Sequence, residues 1–277
     1  ADEQLGAALR AQPLNPAAIV ADSIAAVAGL RVLTVALDGE LGQGPVMAAA
    51  SGDGFRLTGT RTQVSFGPVA DAYLVPAETD SGVKVFLVAG DDPGVSVTAL
   101  DTTGANSAAE LDLAGVELPR DRVVGGADVL AWLSIHRALG LTAFQLGVLE
   151  RALELTAEYA RTREQFDRPI GSFQAVAQRL ADGYIDIQGL RLTLQQAAWR
   201  LSEDLPAEVE VATAAFWAAE AGHRVAHTAV HVHGGVGIDM DHQVHRYFVT
   251  AKQTEFGLGG ATAALRVIGR DLADTPA

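Results

Sequence analysis

The spacing of hydrophobic residues divides the chain into three stretches. Residues 1–31 are rich in alanine, and apolar positions at helical spacing predict two short helices that Pro13 and Pro16 interrupt. Residues 32–124 instead contain short alternating runs separated by turns with glycine and aspartate, which is typical of β-strands and hairpins. Over residues 125–277 the hydrophobic positions recur every three or four residues, which predicts a bundle of long helices.

The helical stretch is divided by prolines and glycines. Its first helix is predicted from about Val129 to Thr162, and the second begins after Ser172, which is a favourable N-cap residue. The second helix has one continuous apolar stripe, formed by Phe173, Val176, Leu180, Tyr184, Ile187, Leu190, Leu194, Ala198 and Leu201. Three more helices are predicted, over residues 206–233, 243–256 and 261–272.

Composition and charge limit the classes of function. Hydrophobic residues make up 49% and charged residues 19%, which is a globular composition. The formal charge of −14 disfavours binding to nucleic acids and to anionic membranes. No apolar run approaches the roughly 20 residues of a membrane helix, and the polar N-terminal segment does not resemble a signal peptide. The absence of cysteine excludes disulfides and thiolate ligands and fits a reducing compartment, so we expect a cytoplasmic location.

Residues with binding chemistry concentrate in two connections between helices. Arg161, Arg163 and Arg168 fall in one connection beside glutamine and phenylalanine. Arginine can grip a pyrophosphate, glutamine can hydrogen-bond it, and phenylalanine can stack on a ring. The other is the sequence HVHGGVGI of residues 231–238, whose glycines allow a ligand close to the backbone. From spacing alone, both segments also fit ordinary turns, with solvated arginines in the first and a glycine helix stop in the second.

A cluster of histidines lies in the third predicted helix. His223, His227 and His231 are four residues apart and share one helix face, a spacing that can bind zinc. No glutamate follows the first of them as in the HExxH motif, and the nearest carboxylates complete no ligand pattern. We therefore predict no metal site and favour a stripe of histidines that faces a neighbouring helix.

Three segments together resemble the acyl-CoA dehydrogenase family of flavoproteins. The sequence REQFDRPIGSFQ of residues 163–174 is similar to the family's R-x-Q-F-G-x-P-I-x-x-F-Q signature, with Asp167 in place of glycine. Residues 231–238 are similar to a Q-x-x-G-G-x-G segment, with His231 in place of glutamine. Residues 245–252 resemble the family's E-R-x-(aromatic)-R-D-A-K segment.

The resemblance implies an α+β fold with N-terminal helices, a middle antiparallel β domain and a C-terminal four-helix bundle. Residues 1–31 are too few for the family's helical domain, so this part is expected to be reduced or missing from the sequence. The implied reaction is the α,β-dehydrogenation of an acyl-CoA thioester. In it a glutamate removes the α proton while FAD accepts the β hydrogen as hydride. The implied electron acceptor is an electron-transfer flavoprotein.

The resemblance also assigns residues to the cofactor, because in the family's dimers the ADP arm of FAD crosses to the helical bundle of the neighbouring subunit. Arg163 would pair with the pyrophosphate. The residues expected to line the cofactor are Gln165, Phe166, Ile170, Phe173 and Gln174. The residues expected to approach the adenine side through their backbone are His231, Val232, Gly234 and Gly235.

The chain departs from the family where the catalytic base should be. Leu258 occupies the usual position of the glutamate, and Arg137 occupies the alternative position on the long helix. Neither can accept a proton, and Glu255, about one turn from the first position, is a weak candidate. Two segments that hold the flavin ring and the thioester in the family are replaced here, one by the segment that begins at Asp38 and one by QVSF of residues 63–66. An acidic side chain such as Asp38 would repel the negative charge of a reduced flavin.

These features predict one subunit of a heteromeric, α2β2-like acyl-CoA dehydrogenase that is inactive alone. A homologous partner would supply the catalytic glutamate and the contacts to the flavin ring. The pattern resembles the paired subunits with which actinobacteria shorten steroid side chains as CoA thioesters, and a reduced N-terminal part would widen the acyl pocket. Two alternatives remain at this point: a flavin-dependent monooxygenase of the same fold, which needs no such base, and a structural subunit without a cofactor.

Overall fold

The computed structural model describes residues 32–37, 43–104 and 107–274. The described residues belong to two compact units that meet in sequence between Ser134 and Ile135. The helices predicted in residues 1–31 lie outside the described residues, as does the segment that begins at Asp38. The predicted domain boundaries after residues 31 and 124 stay predictions.

The first unit, as far as it is described, contains one sheet of eight strands. The strands are β1 (Leu33–Val35), β2 (Val46–Ser51), β3 (Gly54–Ser65), β4 (Ala72–Thr79), β5 (Gly82–Ala89), β6 (Val95–Leu100), β7 (Ala108–Pro119) and β8 (Val123–Gly125). Their order in the sheet is β6-β7-β3-β2-β4-β5-β8, and β1 also pairs with β4. The hairpins β2–β3 and β4–β5 are antiparallel, but β1 and β2 both run parallel to β4. The sheet is therefore mixed, and the prediction of a purely antiparallel β domain was wrong on this point. The parallel pairs join strands that are distant in sequence, and local alternation does not encode such pairs.

The sheet encloses a core of fully buried side chains, among them Leu57, Tyr73 and Phe86. The hydroxyl of Tyr73 donates a hydrogen bond of 2.8 Å to the carbonyl oxygen of Gly67, so the one polar atom of this ring is satisfied. A second buried cluster joins β4, β5 and β8 to the first turns of helix α1 (Ala127–Thr162).

The second unit is helical. Its helices are α1, which begins in the first unit, α2 (Gln174–Ser202), α3 (Glu208–His233), α4 (Gln243–Gly257) and α5 (Gly260–Asp274). Ser172 does not cap α2 as predicted, because it lies in a 3-10 turn and its hydroxyl donates to the carbonyl oxygen of Pro169. The backbone of Phe173 takes the N-cap position instead.

Helices α1 to α4 share a core in which Leu149, Leu190 and Val225 are almost completely buried. Helix α3 contributes mainly alanines to this core, and such small side chains allow close helix approach. The predicted stripe of α2 is only partly internal, because the side chain of Tyr184 is 60% exposed. By length and composition α1 could cross a membrane, as could many core helices of globular proteins, and no other helix of the described residues meets this criterion.

Candidate functional site

The arginine-rich segment folds into a short β-hairpin directly after α1. Strand β9 (Glu164–Gln165) pairs antiparallel with β10 (Arg168–Pro169), and Phe166 and Asp167 form the two-residue turn. Both turn residues have left-handed backbone, with φ of 55° and 60°, as a type I′ turn requires. Asp167 therefore stands where glycine is least strained, and aspartate is one of the few residues that tolerate this conformation.

Backbone hydrogen bonds anchor the base of this hairpin. The Arg163 amide donates to the Tyr159 carbonyl at 2.8 Å, and the Ile170 amide donates to the Arg163 carbonyl at 2.8 Å. The side chain of Arg163 is exposed. The side-chain Nε2 of Gln165 donates one hydrogen bond of 2.8 Å to the backbone carbonyl oxygen of Glu164, which leaves its second N–H available to a ligand.

Aromatic rings project from the same hairpin. Phe166 is 85% exposed, and its ring meets the ring of Phe173 edge to face with centroids 6.1 Å apart. The guanidinium of Arg168 lies 4.1 Å from the centroid of the Phe173 ring, within the range of a cation–π contact. Arg168 is thus occupied by an internal contact, whereas Phe166 offers a free apolar face.

A ring stack joins the last turns of α1 to the end of α3. His233, the last residue of α3, is 5% exposed, and its Nδ1 lies 2.8 Å from the carbonyl oxygen of Ala229. The His233 ring stacks on Tyr159 with centroids 4.3 Å apart. Tyr159 lies one turn before Arg163, so the stack places both sequence motifs at the same end of the helical unit. Burial lowers the pKa of His233, which favours the neutral ring.

The sequence alone did not single out Tyr159. The only available signal was an aromatic residue one helical turn before the arginine motif, and nothing in that position reveals a partner in a distant helix.

The glycine-rich segment forms a 3-10 turn over Gly234–Ile238. Gly234 has φ 65° and ψ −140°, which glycine adopts without strain. A Cβ atom at Gly234 or at Gly235 would meet no atom within 4 Å, so the backbone is open to a ligand there. A Cβ at Gly237 would lie 2.8 Å from the carbonyl oxygen of Val230. Two of these glycines therefore leave an accessible backbone, and the third is required by packing.

The predicted cofactor residues differ in their exposure to solvent. The exposed ones are Arg163, Gln165, Phe166, Gln174, His231, Gly234 and Gly235. Ile170 and Phe173 are half-buried, and Val232 is 8% exposed, so Val232 can offer a ligand little beyond its backbone. Their roles toward a cofactor stay predictions.

The two family positions for the base lie near each other. Leu258 follows the last residue of α4 and packs, half-buried, against the core of the helical unit. A Cβ at the adjacent Gly257 would be 3.7 Å from the side chain of Leu141, which is one turn after Arg137 on α1. The end of α4 therefore adjoins the turn of α1 that follows Arg137, and neither position carries a proton acceptor.

Glu255 is held in an ion-pair network. Its Oε2 accepts a hydrogen bond of 2.5 Å from Nζ of Lys252, and its Oε1 lies 3.6 Å from Nδ1 of His223. The carboxylate is only 14% exposed. Lys252 and His223 thus engage both carboxylate oxygens, which makes Glu255 a poor candidate for proton abstraction.

The neighbouring histidines do not form a metal centre. The rings of His223 and His227 are 4.5 Å apart, and burial, followed by the charges of His223 and Lys252, lowers the pKa of His227. The Lys252 ammonium lies 3.1 Å from Nδ1 of His223, where it would repel a cation. Within the described ranges no group of three or more His, Asp or Glu side chains is arranged to hold a metal ion.

The QVSF segment ends strand β3 with an irregular backbone. Gln63 and Phe66 both have φ of 56°, and the pairing of β3 with β7 shifts register between Arg61 and Val64. Val64 is buried, whereas Phe66 is 47% exposed. The segment thus presents one aromatic ring at the strand end, and alternation of polar and apolar residues gave no sign of this bulge.

The architecture is that of an acyl-CoA dehydrogenase: a strand-rich unit is followed by a helical unit, and the two motifs that resemble nucleotide-binding segments lie at one end of the helical unit. The acyl-CoA dehydrogenase C-terminal domain matches residues 125–273, and the chain belongs to this family. Its members are FAD-dependent flavoproteins. The chain is 70% identical to acyl-CoA dehydrogenase FadE27 of Mycobacterium tuberculosis, over 92% of this chain and 70% of that relative. It is 32% identical to FadE28 of the same organism, over 89% of this chain and 71% of that relative.

Solved structures agree with this assignment. The ChsE4–ChsE5 complex from Mycobacterium tuberculosis matches with a TM-score of 0.91 and 68% identity, over 95% of this chain and 75% of the other. A variant of the Tcur3481–Tcur3483 steroid acyl-CoA dehydrogenase matches with a TM-score of 0.88 and 39% identity, over 97% of this chain and 74% of the other. The predicted family and the predicted fold class are thereby confirmed.

Proposed function

We propose that this chain is the base-lacking subunit of a heteromeric acyl-CoA dehydrogenase. The observation that carries the proposal is that Leu258 and Arg137 occupy both family positions for the base, while the arginine hairpin and the glycine turn are kept. Glu255 does not compensate, because Lys252 and His223 engage it. A homologous partner must then supply the glutamate that removes the α proton. The similarity to the ChsE4–ChsE5 complex supports an assembly of two different subunits.

The part of FAD that this chain would hold is the ADP arm. The exposed guanidinium of Arg163 suits a pyrophosphate, since it can donate two parallel hydrogen bonds to phosphate oxygens. The open backbone at Gly234 and Gly235 has no Cβ to obstruct a nucleotide. The stack of Tyr159 on His233 fixes both elements at one end of the helical unit. When bound, FAD supplies the hydride acceptor, and this chain's residues bind and orient it.

The finer assignments follow from the relatives. The Tcur3481–Tcur3483 protein is a steroid acyl-CoA dehydrogenase, which supports a steroid side chain carried as a CoA thioester as the substrate of this chain's complex. We assign the same complex an α2β2 stoichiometry, an electron-transfer flavoprotein as electron acceptor and a cytoplasmic location.

Co-expression with a homologous subunit that carries the glutamate tests this function. We expect the chain alone to show no dehydrogenation, and the complex to contain FAD and to oxidise an acyl-CoA with an artificial electron acceptor. Arg163→Ala in this chain should weaken FAD binding tenfold or more, since a hydrogen bond to a charged group is worth about 1.5–3 kcal/mol. Arg266→Ala, which removes an exposed arginine of α5, is the matched control. Full FAD content and dehydrogenation by the chain alone would contradict the proposal.

A further inference from the structure

His233 lies at the end of the helical unit that carries both motifs, and the proposed contacts to FAD do not involve its imidazole. The residue is 5% exposed, and a polar ring buried to this extent needs a hydrogen-bond partner. Its Nδ1 lies 2.8 Å from the carbonyl oxygen of Ala229, one turn earlier on α3. Because a carbonyl oxygen can only accept a hydrogen bond, the proton is assigned to Nδ1, and this bond orients the ring.

Three other structural elements pack around this oriented ring. Tyr159 of α1 stacks on it with an angle of 21° between the ring planes. The ring of His242 lies 5.3 Å from it, and Nδ1 of His242 accepts a hydrogen bond of 3.2 Å from the Val244 amide at the start of α4. The glycine turn folds back over the same residue, since a Cβ at Gly237 would lie 3.1 Å from Cβ of His233. The ends of α1 and α3, the glycine turn and the start of α4 therefore meet at His233.

The two groups proposed to hold the ADP arm are both connected to His233 by short paths. Gly234 follows it directly in sequence, and the Arg163 amide donates to the carbonyl oxygen of Tyr159, whose ring forms the other half of the stack. The distance between the Arg163 guanidinium and the open glycine backbone must match the nucleotide, because a shift of about 1 Å removes a hydrogen bond. A stack that fixes this distance before FAD arrives reduces the cost of ordering the site.

We propose that His233 is a positioning residue for the cofactor, which acts through Tyr159 to set the distance between Arg163 and the glycine backbone. The inference rests on the proposed role of this chain in holding the ADP arm of FAD. An aliphatic side chain could fill the same volume, but it could neither stack on Tyr159 nor be oriented by the carbonyl oxygen of Ala229. The side chain of His233 is buried beneath these contacts, so it acts without touching FAD itself.

FAD binding to the heteromeric complex tests this role. The complex is stripped of FAD, and the dissociation constant of added FAD is measured from the quenching of flavin fluorescence. We expect His233→Ala to weaken FAD binding about tenfold, which is the upper end of what one aromatic pair contributes. Tyr159→Leu should weaken it by a similar factor, because it removes the same stack from the other side. His233→Phe and Tyr159→Phe keep both rings and should bind FAD within about threefold of the unmodified complex, a factor that the loss of one hydrogen bond explains.

A double variant separates positioning from a general loss of stability. Because His233 acts through Arg163, His233→Ala/Arg163→Ala should bind FAD as weakly as Arg163→Ala alone, and not about tenfold more weakly. The stability control is Leu190→Ala in the core of α2, which should lower Tm and leave FAD binding unchanged.

The outcomes distinguish this inference from the proposed function. Additive losses in the double variant overturn the inference, and so does an equal loss of FAD binding in Leu190→Ala. If Arg163→Ala weakens FAD binding and His233→Ala does not, the inference is wrong and the proposed function stands. Unchanged FAD binding in Arg163→Ala would overturn the proposed function itself.

Discussion

Replacing Gly222 by alanine should destabilise the helical unit, although alanine is the better helix former. A Cβ at Gly222 in α3 would lie 2.2 Å from Nε2 of Gln145 in α1. That nitrogen donates to the carbonyl oxygens of Ala218 at 3.3 Å and Ala251 at 3.0 Å, so the amide links α1 to α3 and α4. The Gln145 side chain is completely buried and has no route into solvent.

The magnitude follows from three contributions. Alanine in a helix interior is favoured over glycine by about 1 kcal/mol. Displacing the Gln145 amide loses two hydrogen bonds of about 1 kcal/mol each. Overpacking of a core costs about 2 kcal/mol in the middle of its usual range. The net loss in the free energy of unfolding is then about 3 kcal/mol, which lowers Tm by roughly 6–12 °C for a domain of this size.

Thermal and urea unfolding of the chain check this value. The control is Gly140→Ala in α1, where a Cβ meets no atom within 4 Å and a gain of up to about 1 kcal/mol is expected. In a double-mutant cycle, Gln145→Ala together with Gly222→Ala should be about 4 kcal/mol more stable than the sum of the single changes, because the clash is gone and the two hydrogen bonds are no longer lost twice. If Gly222→Ala is as stable as Gly140→Ala, the packing argument is wrong.

Two further predictions concern the candidate site. Asp167→Gly should stabilise the chain by about 0.5 kcal/mol in thermal unfolding, because glycine adopts the left-handed turn position without strain; an equal gain from Asp167→Ala would refute the backbone argument. The pKa of His233 is lowered in the folded state, so below about pH 6.5 the unfolded chain binds more protons than the folded chain. The free energy of unfolding should therefore decrease as the pH is lowered, by up to about 1.4 kcal/mol per pH unit. His233→Phe keeps the stack on Tyr159 and should flatten this slope in urea titrations between pH 5.5 and 7.5, and superimposable slopes would exclude His233 as the cause.

The helices were predictable because their pattern is local. The breaks at Pro169 and Gly234 and the three-to-four spacing place α2 and α3 within a few residues of their observed bounds. The parallel pairing of β1 and β2 with β4 could not be predicted, since strand alternation carries no information about distant partners. Which face of α2 is internal could not be predicted for a related reason. The helix also has apolar side chains on its exposed face, such as Leu192, so its periodic signal is weak and only tertiary packing decides which face is internal.

The candidate site, too, was predictable only where its signal is local in sequence. Arg163 and the glycines of residues 234–235 could be proposed from the sequence because their residue types are characteristic of nucleotide binding. The stack of Tyr159 on His233, which brings the two motifs to one end of the unit, joins helices that are far apart in sequence. The ion pair of Glu255 with Lys252 spans one helical turn, and its strength depends on the burial of both groups, which periodicity does not reveal.

The apolar surroundings of Leu258 affect how a catalytic acid could be regained at this position in evolution. A change of its codon to one for glutamate would place a carboxylate against the apolar core of the helical unit. Desolvation by the apolar surroundings would penalise the new charge. Recovery of an ionised acid at this point therefore calls for more polar surroundings as well as the new side chain.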